Sequence, residues 1–408
     1  MMILSAGFWL VVTALAALAL QAQGGNFPPM YRVHAFYYLW YTEPSAGGWT
    51  HWDHEVLPHW DAAVAAKHTH GVRFEPPDCL HSPYYPLRGP YSSTSRELIR
   101  QHLVEMEQYG IGVLVASWWG PPWRQGSHDT QMVNTDSRLE MVIRELEESG
   151  SKVRIAFHLE PYEGRTKETV HEDLVYLSKK YRDSPAVLQI NGLPVYYVYD
   201  SYRLPASDWA QLLRRNDGPL NVRGTPADGF FLGLWLDRDD GDEDILPAGF
   251  DGFYTYFSRW AVSKDLLFVP SIGPGYHGGC PGNKKQSERP SRRETLDHDT
   301  TMLLYRALWS AALSAGVQMV SITSYNEWGE GTQIEPAVPR ETRLGCQYLS
   351  YEPASPYLYL EITSEGSKRL GQLTAGGEGE TCQATSAGGN GDDGGGVGDG
   401  GSDDIAEQ

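Results

Sequence analysis

The sequence predicts an α/β fold: a single-domain (β/α)8 barrel of TIM type with a shortened sixth helix. Two patterns predict it. Eight short runs rich in branched and aromatic residues recur along the chain, and amphipathic segments separate most of them. Alternating strands and helices make βα units, and eight such units close a barrel. Several of the runs are apolar almost throughout, as strands buried on both faces require.

In chain order the runs are "VHAFYYLWY" (33–41), "GVLVASWWG" (112–120), "VRIAFHLEPY" (153–162) and "LPVYYVYD" (193–200). They continue with "FFLGLWL" (230–236), "GFYTYF" (252–257), "LFVPSIGPGY" (267–276) and "MVSITSYNEW" (319–328). Between them, residues 95–110 place Leu98, Ile99, Leu103 and Met106 at helical spacing behind a Ser cap. Residues 136–150 repeat the pattern and close on Gly150, a good helix terminator. Further helices are expected in "HEDLVYLSKKYRD" and in "TTMLLYRALWSAALSAG", which closes on Gly316. Between "YTYF" and "LFVP" only "SRWAVSKDL" remains, which leaves room for only a short sixth helix. An open doubly wound sheet is the runner-up, weakened because no Gly-rich phosphate loop follows the first strand.

Residues 1–24 read as a signal peptide or signal anchor, residues 27–373 as the barrel and residues 374–408 as a tail. Ile3 to Leu20 is uncharged and mostly apolar, which suits a secretory leader or a short membrane anchor. From Ala375 onward the chain carries eight acids, no Lys or Arg and twelve glycines, so it should stay disordered. The net charge of −19 argues against nucleic acid as a partner. Four widely spaced cysteines, Cys79, Cys280, Cys346 and Cys382, show no metal-ligand spacing, and their pairing stays open. No metal or other cofactor is expected.

The densest reactive cluster is "SYNEWGEGTQIEP" (324–336), directly after the eighth run. Catalytic groups of such barrels gather at the C-terminal ends of the strands. The other strand ends supply Tyr38, Trp40 and Tyr41; Trp118 and Trp119; His158, Glu160 and Tyr162; Tyr199, Asp200 and Tyr202; Tyr254 and Tyr256; and Tyr276 and His277. Aromatic rings with a few carboxylates suit carbohydrate, whose C–H faces lie on rings while its hydroxyls need planar polar partners. Glycoside hydrolysis needs an acid for the leaving oxygen and a second carboxylate to assist attack. Glu327 and Glu330, spaced by three, would lie about 5–6 Å apart at Cβ on one side of a helical turn. Such proximity raises the pKa of one of them and suits retention of anomeric configuration. Candidate substrate contacts are Tyr38, Tyr41, Trp118, Trp119, His158, Glu160, Tyr199, Tyr254, Tyr276, Asn326 and Trp328, with Glu335 in a supporting place.

These residues resemble a known family. "SITSYNEWGEGTQIEPAVP", with "FYYLWY", "HWDHEVLPHW", "FHLEPYEGR", "AGFDGFYTYF" and "FVPSIGPGY" in order, is similar to the endo-α-1,2-mannosidases of glycoside hydrolase family 99. The resemblance implies a metal-free (β/α)8 enzyme that cleaves internal α-1,2-mannosidic bonds with retention. In animal members the substrate is a glucosylated high-mannose N-glycan or glycoprotein in the Golgi, so a secretory-pathway location follows, lumenal or membrane-anchored through the leader. It also implies that Glu330 is the acid/base and that Glu327 acts as base on the substrate's own 2-hydroxyl, through a 1,2-anhydro sugar. Three features depart from the family pattern. Gly329 stands where animal members commonly have His, and Trp119 where they tend to have Tyr. The segment after "YTYF" is short, and the stretch after "GPGYHGG" diverges too, so an expected substrate-binding arginine has no matching position, Arg292 and Arg293 being the candidates. The alternatives are a weakened barrel that only binds mannose-rich glycans and a glycosidase of another linkage specificity.

Overall fold

The computed structural model describes residues 29–55, 71, 73–236, 240–255, 266–276, 298–346 and 348–376. Eight parallel strands form one closed barrel: β1 (Val33–Tyr37), β2 (Val113–Trp118), β3 (Arg154–Leu159) and β4 (Leu193–Val198), then β5 (Phe230–Leu234), β6 (Gly252–Thr255), β7 (Leu267–Ile272) and β8 (Val320–Ile322). Each strand pairs in parallel with the next in the chain, β1 pairs with β8, and β3 pairs with β4, so no barrel edge is left open. All eight strands arise from the eight runs. The runs extend further because their C-terminal residues turn out into the loops that build the site.

Alternation along each strand sorts the core into two layers. Phe36, His158, Tyr197 and Tyr254, from four different strands, meet ring to ring inside the barrel. Two polar pairs sit there: the Tyr197 hydroxyl meets His34 Nδ1 at 2.7 Å, and Ser271 meets Ser321 at 2.6 Å. Outward-facing residues such as Ala35, Tyr37 and Leu114 join the larger core beneath the helices.

Helix α1 (Arg96–Gln108) starts where Ser95 Oγ accepts the Leu98 N–H, and it buries Leu98, Ile99, Leu103 and Met106 as expected. Each such side chain is worth about 1.5–3 kcal/mol in transfer from water. The same face also buries His102 and Glu105, whose purpose appears in the site. Helix α2 (Asp136–Ser149) ends at Gly150 with φ 70°, and α3 (Lys167–Tyr181) starts from a capping box at Thr166 and Thr169. Helix α4 (Ala206–Leu213) and α5 (His298–Ser314) follow, the latter closing at Gly316 with φ 65°. A last helix, α6 (Leu358–Gly376), was not legible from the apolar pattern. It packs on α5 through the Tyr305–Thr363 hydroxyl pair at 2.8 Å. A Cβ at Gly366 would lie 2.3 Å from the Trp309 ring, so only glycine permits that approach. Helix α6 also extends past residue 373, the expected end of the barrel domain.

Cys79 and Cys346 form a disulfide across 267 residues of sequence, with Cα atoms 5.7 Å apart. Cys280 and Cys382 lie outside the described residues, as do the leader, the segment expected to hold the sixth helix, and the tail from residue 377. No helix among the described residues is long and apolar enough to cross a membrane. Closing so long a loop restricts the unfolded chain strongly. Replacing both Cys79 and Cys346 by Ser is therefore expected to lower stability by about 2–4 kcal/mol, read from denaturant unfolding.

Candidate active site

The segment after β8 folds into a tight loop closed on itself. Ser324 N–H donates to Thr332 O at 2.8 Å, Ile334 N–H to Ser324 O at 2.9 Å, and Glu335 N–H to Tyr325 O at 2.9 Å. The Ser324 hydroxyl accepts the Glu327 N–H at 2.7 Å, which fixes the first carboxylate's backbone. Asn326 docks the loop to the end of β1: its Oδ1 accepts the Tyr38 N–H at 2.8 Å and its Nδ2 donates to Tyr38 O at 3.0 Å. The Tyr41 hydroxyl donates to Asn326 O and accepts the Trp328 N–H, both at 3.0 Å.

A buried polar network supports the loop from behind. Glu335 has no exposed surface and accepts from the Tyr91 hydroxyl at 2.7 Å, Trp328 Nε1 at 3.0 Å and His102 Nε2 at 3.0 Å. With Nε2 donating, His102 Nδ1 accepts from the Tyr37 hydroxyl at 2.8 Å. Glu105 on α1 accepts from the Tyr325 hydroxyl and from Arg88, both at 2.6 Å. The Arg88 guanidinium also lies 3.8 Å from Glu335. Each buried charge thus has partners, as burial demands. Glu335 holds the supporting place expected of it.

Glu327 and Glu330 stand at the mouth of this loop in different surroundings. Glu327 is 7 % exposed; its Oε1 accepts the Gly329 N–H at 3.0 Å, while Oε2 is buried with no hydrogen-bond partner. Burial first, and then the charge of Glu330, push its pKa well above the usual carboxylate range, while the Gly329 and Glu330 N–H groups pull it down. Glu330 opens to solvent, yet the protein crowded around its carboxyl displaces enough water to raise its pKa to about 7. Two coupled carboxyls of this kind share a proton near neutral pH and titrate as a unit. The pair holds that proton jointly, and geometry sets its members apart: Glu327 is anchored on the Gly329 N–H, and Glu330 opens to solvent.

Around the pair, Tyr199 is held well above the usual phenol range, by burial first and then by the charges of Glu330 and Glu160. The His158 ring lies 5.4 Å from that of Tyr199, and Glu160 Oε1 lies 3.1 Å from His158 Nδ1. Both His158 and Glu160 are almost fully buried below the pair, and the Glu160 charge adds to the rise at Glu327. At the end of β1, Tyr38 stacks on Trp40 at 4.5 Å, and Trp40 stacks on His51 at 4.5 Å. His51 in turn meets Asp129 at 2.7 Å. Trp119 and Tyr38 are half-buried and Tyr276 is exposed at 41 %.

Five residues expected against substrate lie elsewhere. Asn326, Trp328 and Tyr41 have at most 1 % of their surface exposed and brace the loop as described. Trp118, also 1 % exposed, turns outward and donates to Asp136 at the start of α2 at 2.9 Å, because adjacent strand residues face opposite sides. Tyr254 lies inside the barrel, its hydroxyl donating to Val198 O at 3.3 Å. Tyr256, His277, Arg292 and Arg293 fall outside the described residues. Sequence reasoning missed His51, His81, Arg88, Tyr91, His102 and Glu105. A signal existed for two of them, since His102 and Glu105 interrupt the apolar stripe of α1. Among the described residues no group of three His, Cys, Asp or Glu side chains has metal-binding geometry.

The model of glycosyl hydrolase family 99 matches residues 29–260 and 258–372. The human "glycoprotein endo-alpha-1,2-mannosidase-like protein" is 38% identical over 354 residues, spanning 81% of this chain and 74% of the relative. The mouse "glycoprotein endo-alpha-1,2-mannosidase" is 37% identical over 383 residues, spanning 88% and 79%. The solved GH99 endo-alpha-mannosidase of Bacteroides thetaiotaomicron superposes with a TM-score of 0.69 at 30% identity, over 85% of this chain and 99% of that one. With this match over nearly the whole barrel, the chain belongs to glycoside hydrolase family 99 and is a glycoside hydrolase.

Proposed function

We propose that the protein is a retaining endo-α-1,2-mannosidase acting on internal α-1,2-mannosidic bonds of high-mannose N-glycans, glucosylated ones included. The observation that carries this reading is the asymmetry of the carboxyl pair. Glu330, open to solvent and raised to about 7, gives the leaving oxygen the proton that the pair shares. Glu327 keeps one buried oxygen without a partner, the acceptor that a substrate 2-hydroxyl requires. In the first step Glu327 takes the 2-hydroxyl proton while that oxygen bonds to the anomeric carbon. The glycosidic bond breaks and its oxygen takes the Glu330 proton. Water, deprotonated by Glu330, then opens the 1,2-anhydro sugar, and Glu327 returns its proton to the 2-oxygen. Two inversions at the anomeric carbon give net retention. The named mannosidase relatives and the half-buried rings of Tyr38 and Trp119 support a mannoside substrate. The Cys79–Cys346 disulfide supports an oxidising, secretory-pathway setting.

Incubation with a glucosylated high-mannose glycan, followed by mass spectrometry, tests the activity. Release of a disaccharide with a correspondingly shortened glycan is expected; binding without release sinks the proposal. The pH dependence carries a sign. The active form holds one proton between the two carboxyls, so kcat/KM should fall in alkali as the pair loses that proton and fall again in acid as it gains a second. A profile that lacks either limb would contradict that assignment.

A further inference from the structure

Gly329 sits between the two carboxylates in sequence, and its φ lies outside the left-handed region, so its backbone does not demand glycine. What excludes a side chain there is His81. A Cβ at position 329 would stand 2.9 Å from His81 Cε1, 3.0 Å from His81 Nδ1 and 3.1 Å from Glu327 Oε1. The imidazole therefore already fills the side-chain volume of residue 329, against the Glu327 carboxylate.

His81 arrives from a distant part of the chain, and its segment is tied down. Cys79 is bonded to Cys346, and Leu80 N–H donates to the Tyr348 hydroxyl at 2.7 Å. That hydroxyl donates to Asp78 O at 3.0 Å, and His81 N–H donates to Trp52 O at 2.8 Å. The ring stacks on His54 at 4.8 Å and lies 5.4 Å from the Phe74 ring. Trp52 also packs on Trp328, next to Gly329, with centroids 6.4 Å apart. The position of the imidazole is thus set by the fold before any substrate arrives.

We propose that His81 is a positioning residue for the carboxylate pair, serving as the side chain that position 329 lacks. It walls the cleft beside Glu327 and keeps that carboxylate's Oε1 on the Gly329 N–H, which leaves Oε2 for the substrate. This inference rests on the mannosidase reading of the pair.

The test uses the full chain with its disulfide intact. His81→Ala is expected to lower kcat roughly tenfold, with KM and the thermal midpoint little changed. A merely structural role would move the midpoint instead. Gly329→His with His81 kept should lower kcat up to about 100-fold, because two side chains compete for one volume. His81→Ala combined with Gly329→His returns an imidazole to that volume and should recover most of the loss seen in His81→Ala. A wild-type kcat in His81→Ala, or full activity of Gly329→His beside His81, overturns the proposal. If the double variant does not fold, or if the wild-type protein cleaves no mannoside, the carboxyl 13C resonances decide. A shift of the Glu327 signal in His81→Ala supports His81 as the positioning residue, and an unmoved signal overturns it. Absence of wild-type cleavage counts against the mannosidase reading alone.

Discussion

Glu330→Gln is expected to lower kcat on a natural α-1,2-mannoside by about 10²–10⁴-fold, the usual range for loss of a general acid. Substrate binding should survive, because the amide resembles the protonated carboxyl in shape and charge. A donor with a good leaving group provides the control. An α-mannosyl fluoride needs little protonation to depart, so Glu330→Gln should cleave it far better than it cleaves the glycan. Glu327→Gln should lose both activities, since neither substrate can react once its 2-hydroxyl lacks a base. Equal losses on both substrates in Glu330→Gln would contradict the division of roles, which rests on the Gly329 N–H anchoring Glu327 Oε1.

Glu335→Ala is expected to cost about 3–5 kcal/mol of stability, read from denaturant unfolding. The substitution leaves the Tyr91 hydroxyl, the Trp328 indole N–H and His102 buried without their acceptor, beside an under-compensated Arg88. Glu335→Gln keeps an acceptor oxygen and should lose less. Activity should fall further than stability alone explains, because Trp328 ties this network to the segment carrying both candidate carboxylates. An unchanged unfolding midpoint in Glu335→Ala would show that the loop is held by its backbone bonds alone.

Eight short apolar runs, several of them near-continuous, made the barrel legible, since strands covered on both faces read in that way. The caps at Ser95 and Gly150 made α1 and α2 legible for equally local reasons. Helix α6 escaped because Gly366 and several Ser and Thr residues break its pattern. The structure requires that glycine for the approach of Trp309. In the site, the carboxyl pair could be read from spacing and strand-end placement. Which aromatic residues face the cleft could not. Trp118 and Trp119 are alike in composition and differ only in strand side, while Trp328 and Tyr41 are consumed by hydrogen bonds to the loop itself. The Cys79–Cys346 bond and the contact of His81 with Gly329 join segments far apart in the chain, and no local pattern encodes them.

The two carboxylates acting on a mannoside with retention are tested most directly by proton NMR of the first product released. In a glucosylated high-mannose glycan digest, the new reducing end of the disaccharide should appear first as the α-anomer and mutarotate later. Prompt appearance of the β-anomer would place a water, rather than the substrate's own 2-hydroxyl, between the carboxylates and would contradict the assignment of Glu327 and Glu330.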